Sequence, residues 1–192
     1  METPYVNIHT HRPTGRGLEP ASVGIHPWDA AGADAESLCE ALGRAQAVGE
    51  IGLDYLHPDR EAQRRLFEQQ LELAETAGMP VVLHCVKAFE PMMTLLGRFR
   101  LRAVIFHGFI GSPQQAARAV AAGYYLSFGP RSLRSPRTVQ ALATVPSERL
   151  FLETDDDPTP IESIYAEAAR LLGLPLDRLR ETLYTNYLRI FT

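Results

Sequence analysis

Two histidines one residue apart, His9 and His11, end the stretch YVNIHTH. A strand turns residues i and i+2 to the same side, so both imidazoles face one place. The same placing recurs along the chain. His26 follows SVGI, Glu50 follows AVG, His84 follows PVVL, His107 follows AVIF, and Asp155 ends the run through LFLET. Five of the six histidines thus sit at the carboxyl end of a short apolar run. A lone strand-end histidine usually serves a local hydrogen bond, and His26 or His57 taken singly reads that way. The set as a whole reads as a metal centre. Imidazole with carboxylate and few thiolates suits Zn, Mn, Fe, Co or Ni, and argues against a purely structural zinc site. His9, His11, His84 and His107 with Glu50 and Asp155 exceed what one tetrahedral ion needs. Two ions about 3.5–4 Å apart would use them, lowering the pKa of a bound water and steadying both the attacking and the leaving oxygen. That is hydrolytic chemistry rather than redox chemistry. Cys85, directly after His84, should face the opposite way and pack in the core.

The elements that must carry these residues are legible from apolar runs and punctuation. Strand candidates are Tyr5–Ile8, Ser22–Ile25, Ala47–Ile51, Pro80–Leu83, Ala103–Phe106, Tyr124–Phe128 and Leu150–Leu152. A helix over 60–77 carries Leu66, Phe67, Leu71 and Ala74 at helical spacing and stops at Gly78. Ser112–Pro113 reads as an N-cap with proline in the first turn of a helix that Gly123 closes. Thr159–Pro160 repeats the device up to Gly173, and a last helix runs from about Leu176 to Phe191. Strands alternating with helices imply parallel pairing with right-handed crossovers. The near-continuous apolar runs suit strands covered on both faces. An open doubly wound sheet and a closed barrel both satisfy this pattern. In a parallel barrel the carboxyl ends of the strands share one face, where the active site lies.

The chain of 192 residues, 45% of them hydrophobic, fits a single domain spanning 1–192. A net charge of −4 leaves no global nucleic-acid footprint. The N-terminus lacks a basic, apolar leader, and apolar runs of about five or six residues fall far short of a membrane span. Two cysteines do not make a disulfide framework, and reduced thiols are the expectation. The expectation is a cytoplasmic protein with no membrane partner.

The stretches NIHTH, GIHP, GEIGLDY, VVLHCVKAF, FHGFIGS, LETDDDP and the closing NYLRIF resemble, in the same order, the TatD family of metal-dependent hydrolases, within the amidohydrolase-type barrels. The resemblance covers most of the chain. It implies an α/β fold of TIM-type (β/α) barrel form with a two-metal site. In it His9, His11 and Asp155 hold one ion, His84 and His107 hold the other, and Glu50 bridges them. The ions would be two divalent cations from Zn, Mn, Mg, Ni, Co or Fe. The reaction implied is phosphodiester hydrolysis of the deoxyribonuclease or exonuclease kind, on single-stranded DNA or another phosphodiester. A metal-held hydroxide would attack, with Asp155 as proton acceptor and Glu50 as the second catalytic carboxylate. An amide, lactone or ester hydrolase is the alternative, and a metal-binding protein without turnover is a third reading.

Three departures from the family pattern matter. Asn7 stands where an aspartate usually opens the first motif, which removes a charge behind the ligands. Lys87 stands near where an arginine is usual, keeping a point charge but losing the bidentate fork. Only RPTGRGLEPA joins the first run to SVGIHP, too short for a strand and a crossover helix. The barrel is therefore expected to be incomplete, with seven parallel strands, its open flank closed by a partner chain or covered by loop 12–20. His26, Lys87, Arg131 and Arg134 are the candidate substrate contacts. Arg98, Arg100 and Arg102 precede a strand and should lie on the opposite face.

Overall fold

Strands and helices alternate along residues 2–192, the part of the chain that the computed structural model describes. Contacts gather into two units, one of Ala21–Phe106 and one joining residues 2–20 to His107–Thr192. The class is α/β with parallel strands, as expected of a TIM-type chain.

In the unit Ala21–Phe106 four strands pair in parallel and in sequence order: β1 (Ser22–Val23), β2 (Ala47–Asp54), β3 (Val81–Val86) and β4 (Val104–Phe106). Helix α1 (Cys39–Leu42) lies between β1 and β2, α2 (Arg60–Ala77) between β2 and β3, and α3 (Phe89–Leu96) between β3 and β4. The apolar stripe of α2 buries Leu66, Phe67, Leu71 and Ala74. Gly78 ends that helix at φ 63°, the left-handed conformation glycine adopts without a Cβ penalty. Val48, Ile51 and Leu53 of β2 and Val81 and Leu83 of β3 are wholly buried.

One glycine decides how closely β2 and β3 approach. Gly52 has φ 146°, and a Cβ there would lie 2.0 Å from the His84 carbonyl oxygen. Gly52→Ala should therefore cost about 2–5 kcal/mol, through backbone strain and overpacking together. A urea denaturation midpoint measures it; an unchanged midpoint would mean that the two strands can separate freely at this point.

In the other unit α4 (Pro113–Ala121), β5 (Tyr125–Phe128), α5 (Pro130–Leu133), α6 (Pro136–Leu142), β6 (Leu150–Leu152), α7 (Ile161–Leu172) and α8 (Leu176–Phe191) follow in order, with β5 parallel to β6. Ser112 caps α4 with Pro113 in its first turn, as the Ser-Pro signal predicts, and Gln115 completes a reciprocal capping box.

The seven strands expected become six among the described residues. The stretch at Tyr5–Ile8 is extended, but it pairs only through isolated contacts. Val6 bridges Leu18, Thr10 bridges Asp155, and Ile8 N–H donates to Leu152 O at 3.1 Å. It runs parallel alongside β6 as a seventh extended line without a regular ladder. Residues 12–20 hold no helix or strand. Leu18 returns beside residues 5–7, where Asn7 N–H donates to Leu18 O (2.9 Å) and Leu18 N–H to Tyr5 O (2.8 Å). Loop 12–20 thus lies against residues 5–7. From the other side the Tyr165 hydroxyl of α7 accepts from Val6 N–H and donates to Val6 O. Among the described residues no helix is long and apolar enough to cross a membrane.

Candidate functional site

Each unit carries a cluster of imidazoles and carboxylates. In the unit of segments 2–20 and His107–Thr192, the main chain of residues 8–11 is laced to that of 152–155. Asp155 N–H donates to His9 O at 3.1 Å and His11 N–H to Asp155 O at 3.0 Å. Asn7 locks the two segments together. Its Nδ2 donates to Thr154 Oγ1 and its Oδ1 accepts from Thr154 N–H, both at 2.9 Å. The departure from aspartate thus leaves a buried neutral amide that sets the register of His9 against Asp155. Asp155 itself sits at φ 56°, a left-handed conformation that aspartate and asparagine tolerate better than other side chains.

His9 Nε2 and His11 Nε2 lie 3.8 and 3.4 Å from Asp155 Oδ1. His107 Nδ1 lies 3.2 Å from Glu153 Oε1, and the His9 and His107 rings have centroids 4.4 Å apart. His9, His11 and Asp155 offer ligand atoms within 4.8 Å of one another, and so do His107, Glu153 and Asp155. Burial alone would raise the Glu153 carboxyl; His107, His9 and the nearby Ser127 outweigh it and hold the group below its usual range. Neither Glu153 Oε2 nor Ser127 Oγ is in a well-formed hydrogen bond, although both are buried. A buried, ionised carboxylate oxygen without a well-formed hydrogen bond is costly, and a cation held there would satisfy it.

In Ala21–Phe106 the cluster is His26, Glu50 and His84, again with ligand atoms within 4.8 Å. His84 stands between two carboxylates, its Nδ1 2.6 Å from Glu50 Oε1 and its Nε2 3.2 Å from Asp54 Oδ2. His26 Nε2 is 3.4 Å from Glu50 Oε1, while its Nδ1 accepts from Trp28 N–H at 3.2 Å. Burial would raise the Asp54 carboxyl, but bonds from Trp28 Nε1, Leu56 N–H and His84 bring it below the usual carboxylate range. Two buried glutamines of α2 hold this cluster from behind. Gln63 accepts from Asp54 N–H and donates to Asp54 O, and Gln70 does the same for Ile25, the residue before His26.

The residues read from sequence fall into place unevenly. His9, His11, His107 and Asp155 come together, as do Glu50 and His84. His26, expected as a substrate contact, stands among the ligand candidates. Lys87 is exposed just past β3 at φ 53°. Arg131 and Arg134 already pair with exposed Asp156 (3.0 Å) and half-buried Asp157 (2.8 Å). Cys85 is half-buried, and loss of solvent pushes its thiol up to about 12. Glu153 and Asp54 were missed, although spacing held the signal. Glu153 and Asp155 repeat the alternate-residue spacing of His9 and His11, and Glu50 and Asp54 stand an even number apart on β2. Gln63 and Gln70 stand two helical turns apart, on one face.

Residues 18–192 match the family described as TatD related DNase. The Escherichia coli protein named "uncharacterized metal-dependent hydrolase YjjV" is 33% identical over 196 residues, covering 89% of this chain and 76% of that one. Its crystal structure superposes with a TM-score of 0.82 over 90% of this chain and 76% of its own. Human "deoxyribonuclease TATDN3" is 30% identical, with 91% of this chain and 72% of that protein covered. The Escherichia coli "3'-5' ssDNA/RNA exonuclease TatD" is 33% identical over 70% of this chain and 56% of its own length.

Proposed function

Because this chain belongs to the TatD family of metal-dependent hydrolases, we propose that it hydrolyses phosphodiester bonds, with single-stranded nucleic acid as the substrate class and two divalent ions as cofactors. The observation that carries the reading is the donor set itself. Each unit presents imidazoles and carboxylates with ligand atoms within 4.8 Å, and Glu153 adds a buried carboxylate oxygen that lacks a hydrogen bond. The ligands are those assigned from the sequence, His9, His11, Glu50, His84, His107 and Asp155. His26 and Glu153 qualify beside them by geometry. Bound divalent ions would lower the pKa of a water and polarise a phosphoryl oxygen.

The chain's own groups supply the rest. Asp155 takes the proton of the attacking water, and Glu50 and Asp54 orient His84 from both ring nitrogens. Lys87 offers a point charge to a substrate phosphate. Arg131 can do the same, because its exposed pairing with Asp156 is worth only about 0–1 kcal/mol and a phosphate can displace it. Arg134 joins it if Asp157 releases it. Hydrolysis of an amide, lactone or ester by the same ligands is the second reading.

The test is removal and return of metal. Purified protein should carry bound transition metal by elemental analysis. Dialysis against a chelator should abolish cleavage of a single-stranded oligonucleotide, and adding Mg, Mn or Zn should restore it. Activity on amides, lactones or esters with none on any phosphodiester would replace the proposal by the second reading.

A further inference from the structure

Trp28 is the single tryptophan of the chain, and it is 58% exposed. Its exposure comes with a fixed pose. The indole Nε1 donates to Asp54 Oδ2 at 2.8 Å, so the polar edge is anchored toward the His26–Glu50–His84 cluster. His57 stacks on the ring, with centroids 4.5 Å apart and planes at 26°. His26 meets it edge-on at 4.6 Å, and the His84 ring lies 6.2 Å away. Leu56, next to His57, is 71% exposed. An indole held by its tip, backed by a second ring and left open to water is a surface ready for another flat ring.

The residues that follow change character. The Arg60 guanidinium lies 4.6 Å over the Tyr55 ring and donates to Tyr55 O. Tyr55, Arg60, Glu61, Arg64, Arg65 and Glu68 line an open cavity of about 560 Å³. Glu68 is already engaged by Arg64 and Arg98 at 3.5 and 2.8 Å, which leaves the wall with a positive balance.

We propose that Trp28 and His57 form a stacking platform for a nucleobase of single-stranded nucleic acid, and that the adjoining phosphates follow Tyr55 into the arginine-lined cavity at Arg60 and Arg65. The inference rests on the phosphodiesterase reading above and adds a grip on a base beside the His26–Glu50–His84 cluster. Stacking accepts any base because every base has a π-face, and it is worth about tenfold to a hundredfold in affinity per base. A platform of this kind gives length preference without sequence preference.

The tryptophan reports on its own role. The full chain with its metals in place is titrated with a phosphorothioate-linked octathymidylate, which is cut slowly, and with an abasic strand of the same backbone. The thymidylate should quench the tryptophan fluorescence and bind about tenfold to a hundredfold more tightly than the abasic strand. Binding of fluorescently labelled strands, read by anisotropy, should show Trp28→Phe keeping most of this preference, and Trp28→Leu losing it. Equal binding of the two strands, or fluorescence indifferent to both, overturns the platform. Fluorescence that shifts with protein concentration but not with oligonucleotide also overturns it and gives the surface to a second copy of the chain. Hydrolysis of an unmodified strand is read separately. Its absence alongside base-dependent quenching would overturn the phosphodiesterase reading and leave the platform standing.

Discussion

Asp155→Asn should leave a folded protein whose hydrolysis falls by about a hundredfold to ten-thousandfold, the range expected when a positioned proton acceptor is lost. The substitution is chosen for the backbone. At φ 56° asparagine is tolerated about as well as aspartate, and the main-chain bonds to His9 and His11 do not involve the side chain. What changes is chemical. The amide carries no charge and takes no proton, and two of the three-residue donor sets lose a carboxylate at once. Metal affinity should fall together with rate. Asp155→Ala should lose as much activity and melt lower as well, since a left-handed alanine costs about 1–2 kcal/mol more. Initial rates at saturating metal, metal content and melting temperature on both variants decide the matter. Near-normal turnover in Asp155→Asn would remove the carboxylate from the chemistry.

Glu153→Ala should destabilise the metal-free protein by about 3–5 kcal/mol, the cost of breaking a buried charged pair from one side. Glu153 is wholly buried and its Oε1 faces His107 Nδ1 at 3.2 Å. The space around it is fitted to the side chain. A Cβ on Gly129 would come within 3.2 Å of Glu153 Cγ, and one on Gly108 within 3.4 Å of its Oε1. Alanine leaves a cavity as well as an uncompensated imidazole. Glu153→Gln keeps the volume and one acceptor for His107, so its loss should be the smaller. Urea unfolding in the presence of chelator measures both. An alanine variant within about 1 kcal/mol of the parent would mean that His107 needs no anion in the absence of metal.

What could be read in advance was what local chemistry determines. The end of the helix over 60–77 follows from Gly78 and Pro80 just beyond it, and the last helix was read over about 176–191; the structure places α2 and α8 there. His84, His107 and Asp155 could be picked out as candidates because an apolar run followed by a ligand-type residue needs no knowledge of partners. Tyr5–Ile8 was misjudged as a regular strand because its pairing depends on Leu18 and on residues 152–155, remote in sequence and matched only at single points. Gln63 and Gln70 look like ordinary polar helix positions. Their burial comes from main-chain groups of Asp54 and Ile25 that no pattern in α2 announces. Trp28 drew no notice because a lone aromatic after a proline is ambiguous until its indole N–H is seen to reach Asp54.

The return of Leu18 along residues 5–7 also bears on how molecules of this protein meet one another. An extended segment with one side bare is a template on which a second chain can build, and colloidal loss by edge-to-edge growth begins at such places. Here the Asn7 N–H and the Tyr5 carbonyl are occupied by Leu18 of the same molecule. Glu19 stiffens the returning loop by accepting from Thr14 and Gly15 N–H at 2.8 Å. β1, at the end of its own four-strand run, is only two residues long and offers little length to copy. A connection cut to ten residues thus leaves no adhesive seam at this segment, because its hydrogen-bonding groups are engaged before any neighbour arrives.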